Sequence, residues 1–271
     1  MSNVVLALLT RTETAPAILA GAERLAVLLG GARVEAMVVR VLPISTILVT
    51  EEILSKAEAQ KIHDHEMERA VALHRIFEDW EARQTGAKAP RWVEQEGVTE
   101  EVVKDWGARA DYIVAGKPDA HGAQGEYDAL HAAIFATERP VLMMPPLAKT
   151  EFGKNIAIAW RDDKYSLHAL LAALRCTAQA EQIHVLMGRR PGTPAPRIPD
   201  VLVEHDFAVT GHELPIDGEV FGAKLMVKAH ELQADLLVMG AFVHNKWYGL
   251  MFGGVTKYML AHSDIPVLMR H

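Results

Sequence analysis

Apolar residues in this chain fall into short runs, and longer helix-forming stretches separate one run from the next. Runs of this kind, several of them continuously apolar, are typical of parallel strands that helices cover on both faces. The alternation predicts right-handed βαβ crossovers and an α/β fold with a doubly wound sheet. The predicted strands are Val4–Leu9, Val34–Val41, Arg91–Glu96, Tyr112–Ala115, Val141–Met144, Ile156–Trp160, Gln182–Met187, Gly211–Pro215, Leu236–Met239 and Val267–Met269.

The same pattern occurs twice along the chain, which predicts two fused copies of one domain. Each copy contains five predicted strands, so we expect two tandem, five-stranded, mostly parallel sheets. A polar, proline-containing connection separates the copies and sets the predicted domains at 1–147 and 153–271. Three pairs of segments correspond in the same order: Asn3–Leu9 with Asn155–Trp160, Ala110–Gly116 with Ala234–Gly240, and Arg139–Met143 with Ile265–Met269.

The two copies differ between their first and fourth strands. Glu51 to Arg83 is a long charged run with apolar residues at helical spacing, which predicts an enlarged helix in the first copy. The second copy has the proline-rich stretch Arg189–Pro196 in the corresponding place. The sequence leaves open whether the enlarged helix is a docking surface or extra cover for the sheet.

Composition and charge exclude several classes of protein. Hydrophobic residues make up 50% of the chain and charged residues 23%, the balance of a folded globular protein. The net charge of −7 argues against broad binding to nucleic acid or anionic membranes. No stretch reaches the roughly 18 apolar residues of a membrane-spanning helix. The single cysteine, Cys176, excludes an intramolecular disulfide, and we expect a cytoplasmic protein.

The sequence contains no catalytic or metal-binding motif that we can assign. His63 and His65 are two positions apart on a predicted helix, so they point to different sides of it, and no metal site is predicted. There is no Gly-x-Ser-x-Gly elbow, no P-loop and no Gly-x-Gly-x-x-Gly after a first strand. We therefore predict no catalytic residue.

A glycine-containing loop is the strongest candidate for a binding site. Gly240 follows a predicted strand, and Gly253-Gly254-Val255-Thr256 opens a helix that runs to His262. Glycines at a helix N-terminus let backbone N–H groups approach an anion, and the helix dipole favours negative charge there. Turns and helix caps explain the same glycines equally well.

This loop and the closing residues His262–Leu268 resemble the C-terminal signature of the universal stress protein family. The family pattern is Gly, two residues, Gly, nine residues, Gly, then a small or hydroxyl residue. Gly240 and Gly253 have the family separation, whereas Val243 replaces the second glycine. The resemblance implies an adenine nucleotide alpha hydrolase-like fold. It also implies a tandem member whose two domains pair as a pseudo-dimer through their final strands.

The resemblance further implies an ATP or other adenine-nucleotide site in the C-terminal domain only. In the first copy, Glu126 and Asp128 at the corresponding helix start take the place of an anion and repel one. In the second copy, Asp162 or Asp163 is expected to cap a helix. By similarity, the adenine slot is lined by Ala159, Trp160 and Met187, and the phosphates meet Gly240, Gly253, Gly254, Val255 and Thr256.

Three functions are compatible with these residues. The first is a non-enzymatic stress-response module, regulated by a bound adenine nucleotide. The second is an enzyme that hydrolyses adenine nucleotides or uses them for adenylation. The third is an interaction protein without a nucleotide site. Neither nucleic acid nor membrane is an expected partner, and assembly into a homodimer is left open.

Overall fold

The structure is a computed structural model. It describes residues 3–42, 55–86, 88–119, 124–147, 149–204, 207–241, 243–244, 251–252 and 254–271. The chain forms two compact units, Met1–Arg139 and Pro140–His271.

The first unit alternates strands and helices along the whole of its described length. Its strands follow the spatial order β3-β2-β1-β4, and each neighbouring pair is parallel. Helix α1 packs against α2, and α3 packs against α4. The elements are β1 (Val4–Leu8), α1 (Ala15–Leu28), β2 (Arg33–Val41), α2 (Lys56–Glu81), β3 (Arg91–Gly97), α3 (Thr99–Gly107), β4 (Tyr112–Gly116) and α4 (Gln124–Ala136).

The second unit repeats this topology and adds two strands, β12 and β5, at one edge. Its sheet has the order β5-β12-β9-β6-β7-β8, in which β5 is antiparallel to β12 and the other pairs are parallel. A short antiparallel ladder joins β10 to β11. The elements are β5 (Val141–Met144), β6 (Asn155–Trp160), α5 (Lys164–Leu174), β7 (Gln182–Arg189), α6 (Asp200–Glu204), β8 (Val209–Pro215), α7 (Phe221–Glu231), β9 (Leu236–Gly240), β10 (Val243–His244), β11 (Met251–Phe252), α8 (Gly254–His262) and β12 (Val267–Arg270).

Apolar strands form the core of each unit. All five residues of β4 are buried, as are all five residues of β9. Burial of one large apolar side chain contributes about 1.5–3 kcal/mol to folding, so these strands hold the sheet ends in fixed positions. Those fixed ends position the loops that follow them.

The predicted α/β fold is confirmed, and each predicted strand is present with ends that differ by at most two residues. The enlarged helix predicted over Glu51–Arg83 is α2, although residues 51–54 lie outside the described part of the chain. Strand β5 belongs to the second compact unit because it pairs with β12, with Val267 opposite Met143. The domain limits 1–147 and 153–271 stay a prediction.

Two elements of the second unit were not predicted. The ladder between β10 and β11 has two residues in each strand, too few for a periodic signal. Helix α6 is also short and follows the proline-rich stretch. Among the helices in the described ranges, none has both the length and the apolar character needed to cross a bilayer.

Candidate functional site

A cavity of about 1240 Å³ lies at the C-terminal ends of β6, β7 and β9 in the second unit. This edge of an open α/β sheet is where ligands usually bind. The loop after β6, the proline-rich loop after β7 and the first turn of α8 contribute to its walls. The sheet therefore brings together segments that are far apart in the sequence.

Most of the sequence-predicted site residues meet at this cavity. Gly253 lies outside the described residues. Met187 does not line the cavity, although its neighbours Leu186 and Gly188 do, because successive side chains of a strand point to opposite faces. The predicted site residues that line this cavity are Ala159, Trp160, Gly240, Gly254, Val255 and Thr256.

The first turn of α8 forms one wall of the cavity. Gly254 is the first residue of this helix and is exposed, and a Cβ built there meets no atom within 4 Å. Thr256, two residues later, is fully buried. The first N–H groups of a helix have no partner within the helix and carry its positive dipole end, so this wall is suited to an anion.

The start of α5 lies against the end of β9. The carboxylate of Asp163 caps α5 and accepts hydrogen bonds from the backbone N–H groups of Tyr165 (3.0 Å) and Ser166 (2.9 Å). Arg161 forms an ion pair with the same carboxylate. The predicted capping role is confirmed for Asp163, which is therefore satisfied within the protein.

Ser166 is a cavity residue that sequence reasoning missed. It is the third residue of α5, is only 3% exposed and lines the cavity. Within the described part of the chain, its hydroxyl has no hydrogen-bond partner.

The charges around the cavity favour an anionic ligand. Four cations line it, against three carboxylates, which gives a net charge of +1 in a chain of net charge −7. Arg161 and Asp163 neutralise each other. Among the described residues, no carboxylate lies within ion-pair distance of the remaining cations Lys164, Arg190 and Arg197.

The remainder of the wall is largely apolar. Gly188 permits close packing there, because a Cβ at this position would lie 2.8 Å from Ile216 and 2.9 Å from Phe221. The proline-rich loop adds Pro196 and Ile198. An apolar wall beside a polar end suits a ligand with a flat ring at one end and charge at the other.

The corresponding place in the first unit holds a carboxylate of the protein itself. Glu126, in the first turn of α4, is 3% exposed. It accepts a hydrogen bond from Arg11 Nη1 (3.2 Å) and another from Thr14 Oγ1 (3.3 Å). The structure therefore surrounds this carboxylate with donors, as an anion site would surround its ligand.

Residues 218–271 match the model of the universal stress protein family. This segment contains α7, β9, the first turn of α8 and β12. No curated protein sequence gives a significant match.

Solved structures match over the whole chain. A universal stress protein from Archaeoglobus fulgidus DSM 4304 has a TM-score of 0.66 at 14% identity, over 100% of this chain and 98% of its own. A protein from Pseudomonas aeruginosa UCBPP-PA14, provisionally named a universal stress protein, has a TM-score of 0.58 at 15% identity, over 99% and 93%. A protein of unknown function from Pseudomonas aeruginosa PAO1 has a TM-score of 0.57 at 13% identity, over 99% and 92%. At such identities these structures show the fold. The match of residues 218–271 shows that this segment is similar to the universal stress protein family.

Proposed function

We propose that this protein is a tandem universal stress protein whose second unit binds an adenine nucleotide. The observation that carries the proposal is the single cavity at which six of the predicted residues meet. In this proposal the protein resides in the cytoplasm and acts as a regulatory module, in which the bound nucleotide changes its interactions.

The shape of the cavity supports a nucleotide. Its volume of about 1240 Å³ is large enough for a nucleotide, since small-molecule sites commonly measure about 300–1,000 Å³. The phosphates lie at the start of α8, where the helix dipole and the first N–H groups favour an anion. The adenosine lies toward Ala159, Trp160 and the apolar wall formed with Ile216 and Phe221.

The first unit does not bind a nucleotide in this proposal. Glu126 already holds Arg11 and the Thr14 hydroxyl. A phosphate at the same place would lie beside a buried carboxylate, and two negative charges repel each other strongly where water is excluded. One site per chain follows from this difference.

Calorimetric titration of the full chain, stripped of nucleotide, with ATP, ADP and AMP tests the proposal. Gly254→Trp fills the space beside the first turn of α8 and should abolish binding. Gly254→Ala is the matched control, because a Cβ at this position meets no atom within 4 Å. ATP binding that survives Gly254→Trp would remove the site from this cavity.

A phosphate-release assay on the same samples separates the remaining functions. Binding without turnover supports the regulatory module. Steady turnover that Gly254→Trp abolishes supports an enzyme that uses the same cavity. Failure of the wild-type chain to bind any adenine nucleotide contradicts the proposal and favours the interaction protein.

A further inference from the structure

The proline-rich loop between β7 and α6 is held at both ends. At its start, the Arg189 carbonyl accepts a hydrogen bond from the N–H of Ile216 (2.9 Å), and the Arg189 guanidinium pairs with Glu213 on β8 (2.6 Å). At its other end, Ile198 packs beside β8, since a Cβ at Gly211 would lie 3.1 Å from the Ile198 side chain. The loop therefore presents its side chains at set places along the cavity.

Two arginines of this loop line the cavity without a carboxylate to pair with. Arg190 and Arg197 are both exposed cavity residues. The cavity carboxylates Asp162 and Asp200 lie beyond ion-pair distance of both, as do the other carboxylates in the described part of the chain. Arg189, which begins the same loop, has such a partner. Unpaired like charges on one wall repel each other, and an anionic group of a ligand would relieve that repulsion.

The two arginines lie on the adenosine side of the cavity. Arg197 stands between Pro196 and Ile198, which both belong to the apolar wall. In the proposed function that wall contacts the adenosine, whereas the 5′-phosphates lie at the first turn of α8. Strand β6 separates β7 from β9, and neighbouring strands are about 4.8 Å apart, so the loops after β7 and β9 leave the sheet about 10 Å apart. The cavity therefore has positive charge on two sides.

We infer that the ligand carries a second phosphate on its ribose, and that Arg190 and Arg197 bind this phosphate. Adenosine is neutral, and its ribose has free hydroxyls at the 2′ and 3′ carbons. A phosphate ester at one of them puts negative charge beside the adenosine. A guanidinium suits this group, because it donates two parallel hydrogen bonds to a phosphate. Two nucleosides joined through their phosphates have their charge in the middle, which does not match positive charge on two sides.

This inference rests on the proposed function and narrows its ligand to adenine nucleotides that are phosphorylated on the ribose. The cavity volume of about 1240 Å³ leaves room for the additional group. Hydrogen bonds to charged groups are stronger than neutral ones, but both arginines are exposed and solvent screens them. We therefore expect the ribose phosphate to tighten binding about tenfold.

The test is calorimetric titration of the full chain with AMP, adenosine 2′,5′-bisphosphate and adenosine 3′,5′-bisphosphate. At least one bisphosphate should bind about tenfold more tightly than AMP. Arg190→Gln and Arg197→Gln should reduce this gain and leave the AMP affinity unchanged. Lys154→Gln is the control for the loss of one positive charge and should keep the gain, since exposed Lys154 precedes β6, at the opposite end of the sheet from the cavity. Thermal unfolding checks that each variant folds.

The possible outcomes separate this inference from the proposed function. A bisphosphate gain that the arginine variants reduce, and Lys154→Gln does not, supports the inference. Equal affinity of the wild type for AMP and both bisphosphates overturns it and leaves the nucleotide site intact. An equal loss of AMP and bisphosphate affinity in the arginine variants also overturns it, because the arginines would then hold the 5′-phosphate. A wild-type chain that binds no adenine nucleotide overturns both.

Discussion

Gly240 and Ser166 approach each other so closely that a Cβ at residue 240 would lie 2.8 Å from the Ser166 backbone nitrogen. The atoms on the other side of this contact are backbone atoms of the first turn of α5, which cannot rotate away as a side chain can. The glycine therefore lets the end of β9 and the start of α5 form one continuous cavity wall.

Gly240→Ala should destabilise the protein by about 1–3 kcal/mol, the usual cost of forcing extra volume into a packed region. The same change should displace the first turn of α5 and weaken ligand binding in the cavity. Urea unfolding measures the free energy of unfolding, and the nucleotide titration described above measures the binding.

Gly254→Ala is the matched change on the opposite wall. It should leave the free energy of unfolding unchanged or raise it by less than about 1 kcal/mol, since alanine favours a helix over glycine. Equal destabilisation by the two alanine substitutions would contradict the close approach at Gly240.

Glu126→Ala should destabilise the first unit, because it leaves Arg11 and Thr14 without their shared acceptor. We expect a loss of about 1–3 kcal/mol, the range for hydrogen bonds to charged groups, reduced by the partial exposure of Arg11. Added formate should recover part of this loss by occupying the vacated site. Unfolding with and without formate is the measurement.

Glu13 provides the control for this prediction. It pairs with the same Arg11, but its side chain is 65% exposed, so Glu13→Ala should cost less than about 1 kcal/mol. If formate stabilises Glu13→Ala and wild type as much as Glu126→Ala, the account of a filled anion site is wrong.

Two histidines make the stability of the second unit depend on pH. His212 Nε2 lies 3.2 Å from His184 Nδ1, and burial lowers the pKa of both rings from the ordinary value of 6.5. The nearby Lys228 lowers both pKa values further, and His184 also lowers that of His212. The unfolded chain therefore binds these protons more readily, and the free energy of unfolding should fall as pH drops below about 6.5.

Unfolding in urea between about pH 7.5 and 5.5 tests this sign. The double variant His184→Gln, His212→Gln should have a flatter profile, with a residual slope from His131, whose pKa burial also lowers. His168→Gln, at an exposed position on α5, is the matched single substitution. Stability of the wild type that rises as the pH falls through this range would contradict the prediction.

Asp163→Ala removes the cap of α5 and should cost about 1 kcal/mol of stability. Asp163→Asn keeps the side-chain oxygen that accepts from the backbone but removes the charge that pairs with Arg161. Asparagine should therefore retain most of the stability in a urea unfolding experiment. A loss as large as that of Asp163→Ala would assign the stabilisation to the ion pair instead.

The sequence was sufficient to predict the fold because strands such as β4 and β9 are continuously apolar and recur in the same order. It also located the ends of β6 and β9 that meet at the cavity. Met187, predicted for the adenine slot, does not line the cavity, since a strand's position in the sequence alone does not say which face a side chain takes. Ser166 was missed as a cavity residue because its place in the wall depends on its approach to Gly240, which lies 74 residues away.

The number of ATP molecules bound per chain tests the central claim most directly. Equilibrium dialysis of the full chain against labelled ATP should saturate at a single ATP per chain, and Gly254→Trp should remove it. Saturation with a second ATP would show that Glu126 does not close the first unit. An absence of saturable binding would contradict the assignment of the cavity in the second unit to a nucleotide.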